Sequence, residues 1–129
     1  KSLLEPVLRI KSNMDSGMYA GIQHAAIKAL QLPDQWYVDL NKEYASRREK
    51  VFEWLDHLGC NYDTAQQGMF VWAQVSGRSG DTLVDELLYD HHIFITPGKV
   101  FGEAGKNYIR VSLCSPVVKF EEAIKRVKS

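Results

Sequence analysis

The sequence predicts an α+β fold: a small mixed or antiparallel sheet covered by helices, with a long helix in front of it. Three observations carry this reading. Tyr108 to Cys114 alternates Ile109, Val111 and Leu113 against Tyr108, Arg110, Ser112 and Cys114, the period of a strand with one apolar face. Met69 to Val75 also alternates, with Met69, Val71, Ala73 and Val75 opposite Phe70, Trp72 and Gln74. Between Asp34 and Gly59, Leu40, Tyr44, Val51, Leu55 and Leu58 form one apolar stripe at helical spacing.

Taken in order, the elements justify themselves by local chemistry. Leu3, Leu4, Val7 and Leu8 have helical spacing within Ser2 to Lys11, and Pro6 suits a first turn or a kink. Residues 12–17 are read as a turn-rich loop whose polar side chains bond nearby backbone. Asp15 or Ser16 is expected to cap a helix over about Met18 to Leu30, with a small-residue face of Ala20, Gly21, Ala25 and Ala29. Pro33 breaks the chain, and Asp34 is expected to cap the long helix, which Gly59 ends. On that helix Arg47 falls on the apolar stripe and is expected to snorkel.

Cys60 to Gln67 reads as a polar connection. Met69 to Val75 is apolar on both faces, as in a central strand, so its aromatic residues are expected in the core. Ser79 or Asp81 caps a short helix that buries Leu83, Val84, Leu87 and Leu88. Ile93 to Ile95 reads as a strand ended by Thr96-Pro97-Gly98, and Gly102 and Gly105 punctuate a tight loop. Ser115-Pro116 reads as N-cap and first helical residue of a last helix with Val117, Phe120, Ile124 and Val127 on its apolar side.

Composition excludes several function classes. The 129 residues suffice for one modest core. A hydrophobic content of 45% and a charged content of 25% are those of a soluble globular protein. Sixteen basic residues balance 16 acidic ones, leaving no basic footprint for nucleic acid or an anionic membrane. No apolar run approaches membrane-spanning length, and no signal peptide is visible. The expected location is cytoplasmic, with Cys60 and Cys114 a reduced pair packed as small apolar groups. The chain opens on Lys1 in what reads as mid-helix, so a fragment or processed chain is expected.

His91-His92 shows no metal-ligand spacing, since adjacent side chains diverge and His24, His57 and the cysteines lie at unrelated distances; no metal is expected. Gly98-Lys99 and Gly105-Lys106 are not phosphate cradles. A P-loop needs glycines five apart before Lys-Ser/Thr, and no G-x-G is present. Arg110 supports two readings: a strand arginine in a surface ion pair, or a clamp presenting two parallel N–H donors to a carboxylate.

The order P-G-x-x-F-G-x-x-G-x-x-Y-I-R-x-S-L, here Pro97, Gly98, Phe101, Gly102, Gly105, Tyr108, Ile109, Arg110, Ser112 and Leu113, resembles the C-terminal signature of class I and II pyridoxal-phosphate-dependent aminotransferases, of fold type I. The Gly68-Met69-Phe70-Val71-Trp72 string and the Ile93-Phe94 junction extend the resemblance. It implies that Arg110 binds the substrate α-carboxylate and that Val100 and Phe101 form part of a closing lid. It also implies that residues 1–33 are the end of the large cofactor-binding domain with a dimer-facing loop. Residues 34–129 are then the interdomain helix and small domain, with Trp36 and Tyr37 packing on the large domain. Pyridoxal 5'-phosphate is implied as cofactor, held mainly upstream. None of Lys11, Lys28 or Lys42 has the family's serine-lysine context, so the chain alone is expected to be inactive, with no catalytic residue of its own.

The function implied is transfer of an amino group between an amino acid and a 2-oxo acid by a homodimeric parent enzyme. Within the same fold, a diaminopimelate aminotransferase or a carbon–sulfur lyase remains open. Outside catalysis, so do the aminotransferase-like half of a transcriptional regulator and a free-standing interaction domain.

Overall fold

A computed structural model describes residues 3–15 and 17–128. The chain divides into two compact units, Lys1–Tyr37 and Val38–Ser129.

In the first unit, α1 spans Leu4–Met14 and α2 spans Ala20–Leu30, and neither buries a residue. Pro6 falls in the first turn of α1, where its missing N–H costs nothing. Helix α1 runs three residues beyond the expected Lys11. Ser12 Oγ and Asn13 Nδ2 donate to the Arg9 carbonyl at 3.1 and 2.7 Å, so these residues bond backbone from within the helix rather than from a loop. Asp15 closes α1, its N–H donating to the Lys11 carbonyl at 2.9 Å and its carboxylate pairing with the Lys11 amine. It does not cap α2, which begins at Ala20 behind Tyr19 with no side-chain cap. The other expected cap, Ser16, lies outside the described residues. Trp36 and Tyr37 meet edge to face at 5.0 Å, and Tyr37 donates to the Ala29 carbonyl at 2.6 Å.

Helix α3 spans Asp34–His57, so Asp34 is its first residue rather than its cap. Gly59 ends it at φ +67°, the left-handed conformation that favours glycine. The Cys60 N–H then reaches the Leu55 carbonyl and the Gly59 N–H reaches that of Asp56, at 3.0 and 3.1 Å. Val51, Trp54 and Leu55 are the buried residues of α3; Leu40, Tyr44 and Leu58 of the expected stripe are half-buried. Arg47 does snorkel. Its guanidinium donates to the Leu113 carbonyl at 2.9 Å and pairs with Glu43.

Four antiparallel strands follow in the order β1-β2-β4-β3: β1 Asn61–Tyr62, β2 Phe70–Gln74, β3 Thr96–Pro97 and β4 Tyr108–Ser112. Helix α4, Gly80–Tyr89, starts on Ser79, whose side chain accepts the Thr82 N–H at 3.1 Å. Helix α5 spans Val117–Lys128, one residue later than expected, with Pro116 just before it. One face of the sheet presents Val71, Ala73, Ile109 and Val111 to Trp54, Leu55, Leu83, Leu87, Phe120 and Ile124 in a single core. Helices α3, α4 and α5 thus supply the cover for one face of the sheet, as the pattern predicts.

Three expectations fail here for physical reasons. Ile93 to Ile95 does not form a strand; the ladder is made by Thr96 and Pro97, the residues expected to end it. The Ile93 N–H is taken by the Leu87 carbonyl at 2.8 Å, and Pro97, lacking a donor, fits the sheet edge. β1 has only two residues, too few to show alternation in a segment that reads as polar. Cys60 is buried, but Cys114 is exposed, because it lies one step from the inward Leu113.

Beyond Tyr62, β2 has no strand beside it, and a side chain takes over. Gln66 Oε1 accepts the Trp72 N–H at 2.7 Å, and Gln66 Nε2 donates to the Trp72 carbonyl at 3.0 Å. Gln66→Leu removes both bonds at similar volume. It is expected to cost about 1–2 kcal/mol, since the two half-buried backbone groups lose their partner. Urea unfolding checks this; a change within about 0.3 kcal/mol would mean that water replaces the amide without loss.

Candidate functional site

The other face of the sheet is largely uncovered, and it carries Arg110. Because both polar backbone groups of Trp72 point to Gln66, its pairing with Arg110 across β2 and β4 is the non-hydrogen-bonded kind, which brings side chains closest. Phe70, opposite Ser112, is one diagonal step from Arg110 on the same face. The Arg110 Cζ lies 4.2 Å from the Phe70 ring centroid and 4.4 Å from that of Phe101. Phe101 meets Trp72 edge to face at 5.7 Å, and Trp72 stacks on Tyr108 at 5.4 Å.

These aromatic residues are not core, contrary to the expectation for β2. Phe70 is 40% exposed and Phe101 52% exposed, while Trp72 is half-buried. An apolar β-strand face without a helix over it stays open, whatever its composition. Sequence reasoning missed Phe70 as a neighbour of Arg110. Only the strand register, which joins residues forty positions apart, brings them together.

No carboxylate among the described residues pairs with Arg110, so the surface ion-pair reading has no partner there. A groove of about 340 Å³ at the edge of β4 is lined from both sides of the sheet, by Arg110, Thr96 and Ser112 together with Val111, Phe120 and Ala123.

Val100 and Phe101 sit on a 3-10 turn, Gly98–Phe101, followed at once by a second, Glu103–Gly105. Val100 is 70% exposed. Gly102 joins the two turns at φ +121°, and Gly98 and Gly105 touch backbone to backbone. The expected tight loop is thus a pair of short turns pinned at its base.

His91 and His92 take structural roles. His91 Nδ1 lies 2.8 Å from the Arg126 carbonyl, and the Arg126 guanidinium donates to the His92 carbonyl at 3.0 Å. Among the described residues no three His, Cys, Asp or Glu side chains are grouped to hold a metal. At the far sheet edge Tyr62 stacks on Phe52 and donates to Asp56 at 2.7 Å. Burial, then the Asp56 carboxylate, push its hydroxyl up to about 12, so it remains a neutral donor tying β1 to α3.

Comparison with known proteins places this chain in a family. The sequence model described as aminotransferase class I and II matches residues 3–127. An LL-diaminopimelate aminotransferase from Oleidesulfovibrio alaskensis is 34% identical over 99% of this chain, which covers 33% of that protein. The chain therefore spans about a third of the length of the curated relatives it matches. Among solved structures, a Methanococcus jannaschii protein described as similar in its active site to kynurenine aminotransferases superposes with a TM-score of 0.80. It is 26% identical, over 99% of this chain and 35% of that one. An aromatic aminotransferase from Pyrococcus horikoshii gives a TM-score of 0.71 at 29% identity, over 83% of this chain and 30% of that one. With a family match over nearly its whole length and the same fold in solved members, the chain belongs to the class I and II aminotransferases.

Proposed function

We propose that this chain is the C-terminal part of an amino-acid aminotransferase and that Arg110 binds the substrate's α-carboxylate. The observation that carries this is Arg110 itself: a permanently charged, planar donor set on a strand, with no carboxylate partner among the described residues. Val100 and Phe101, beside it on the glycine-bounded turn, are the lid elements that exclude water when substrate binds. Residues 1–33 end the large domain with its dimer-facing loop, and residues 34–129 form the interdomain helix and small domain. The whole enzyme is a cytoplasmic homodimer acting on amino acids and 2-oxo acids.

Family membership implies pyridoxal 5'-phosphate, which acts as an electron sink when bound. The residues described here do not form its site. A cofactor-bearing lysine works from a desolvated pocket, and none of the described lysines is buried. Lys11 and Lys42 pair instead with Asp15 and Asp39 on exposed helix surface. This chain's contribution is to bind and orient the substrate carboxylate and to close over it. A narrower reading, action on a diaminodicarboxylic acid, is favoured by the relatives named LL-diaminopimelate aminotransferase.

The test is an absorbance spectrum of the full-length protein with pyridoxal phosphate, before and after L-glutamate, L-aspartate, L-alanine and LL-diaminopimelate. The expected result is a band of bound cofactor that shifts with at least one of them. A shift only with LL-diaminopimelate and its partner amino acid selects the narrower reading. No band turns the assignment toward the regulator or interaction-domain reading.

A further inference from the structure

We infer that Phe70 and Phe101 are positioning residues for Arg110, a two-ring clamp that fixes the guanidinium without using any of its hydrogen-bond donors. This rests on the proposed role of Arg110. The contrast with the other arginines of the second unit carries it. Arg47 donates to the Leu113 carbonyl and pairs with Glu43. Arg48 donates to the Gly68 carbonyl, Arg78 pairs with Glu86, and Arg126 pairs with Glu122 and donates to His92. Each is held by partners that consume N–H groups. Arg110 is held, among the described residues, by ring faces at 4.2 and 4.4 Å.

A cation over an aromatic face is attracted by the ring quadrupole, and this attraction occupies no N–H. The clamp therefore restricts a long, flexible side chain while leaving its donor fork unoccupied among the described residues. Its two sides differ in origin. Phe70 belongs to β2, whose position is fixed by pairing with β4. Phe101 belongs to the 3-10 turn ending at Gly102, and its ring rests on Trp72. One ring is thus part of the sheet, and the other is part of the proposed lid. Closing the lid and aiming the arginine become one event.

The experiment measures binding to the full-length holoenzyme by calorimetry, with L-glutamate and 4-aminobutyrate as probes. The second is the first without its α-carboxylate. Phe70→Leu and Phe101→Leu keep apolar bulk but remove the π face. Each is expected to weaken L-glutamate binding about tenfold, about 1.4 kcal/mol. In Phe70→Leu, whose residue lies outside the lid, binding of 4-aminobutyrate and the cofactor absorbance stay unchanged, and Phe70→Tyr, which keeps the ring, keeps L-glutamate binding. Equal weakening of both probes in Phe70→Leu would make the rings merely structural and overturn the inference. So would unchanged L-glutamate binding in the leucine variants while Arg110→Ala weakens it; the role of Arg110 would then stand alone. If Arg110→Ala also leaves L-glutamate binding unchanged, that role fails and the clamp with it.

Discussion

Arg110→Lys in the full-length protein is expected to weaken amino-acid binding by about 1.5–3 kcal/mol, roughly 10- to 150-fold, with the bound cofactor's absorbance intact. The magnitude is that of a hydrogen bond to a charged group. Lysine keeps the charge, so the long-range attraction of a carboxylate survives. What it loses is geometry. An ammonium presents a point charge, whereas the guanidinium offers two parallel N–H groups that match a carboxylate's two oxygens. Lysine also loses part of its footing, because the contacts with Phe70 and Phe101 are made by the flat guanidinium carbon. The loss is expected in KM more than in kcat, since a carboxylate contact is made in ground and transition states alike. Unchanged KM and kcat would remove Arg110 from the site.

Gly98→Ala is expected to destabilise the fold by about 3 kcal/mol, the upper end of what overpacking costs. A Cβ on Gly98 would lie 2.4 Å from the Gly105 carbonyl oxygen and 2.7 Å from that of Tyr108. Both obstacles are backbone, so no side chain can swing away. Relief requires moving the Glu103–Gly105 turn or the start of β4, two positions before Arg110. Against this, alanine restricts the unfolded chain, a gain of only about 0.4–1 kcal/mol. The steric term wins. Urea unfolding monitored by tryptophan fluorescence measures the loss; a change below about 0.5 kcal/mol would show that the turns yield freely. A Cβ added at Gly105 would in turn run into the Gly98 backbone, which predicts the same sign for Gly105→Ala.

The legible parts of the fold are those set by local rules. Ile109, Val111 and Leu113 announced an inward face because a strand's period is two, and all three are buried. Ser79 and Gly59 announced helix ends because each supplies a specific cap chemistry. Ile93 to Ile95 misled because apolar composition reports burial, not pairing. Ile95 is indeed buried at 8%, yet it makes no ladder, since β4 pairs only with Thr96 and Pro97 on that side. Of the candidate site, Arg110, Val100 and Phe101 are proposed through the resemblance. Phe70 was not legible, because its nearness to Arg110 depends on the β2–β4 register, which no local signal encodes.

The Gln66 amide has a consequence for how the protein behaves at high concentration. Where β1 stops, the outer rim of β2 would otherwise offer a free N–H and C=O to any passing extended chain. The amide fills that vacancy at Trp72 with a donor and an acceptor of its own, which removes one rung of the rim from reach of another chain. A single glutamine side chain thus lowers the tendency of this rim to pair with a second molecule.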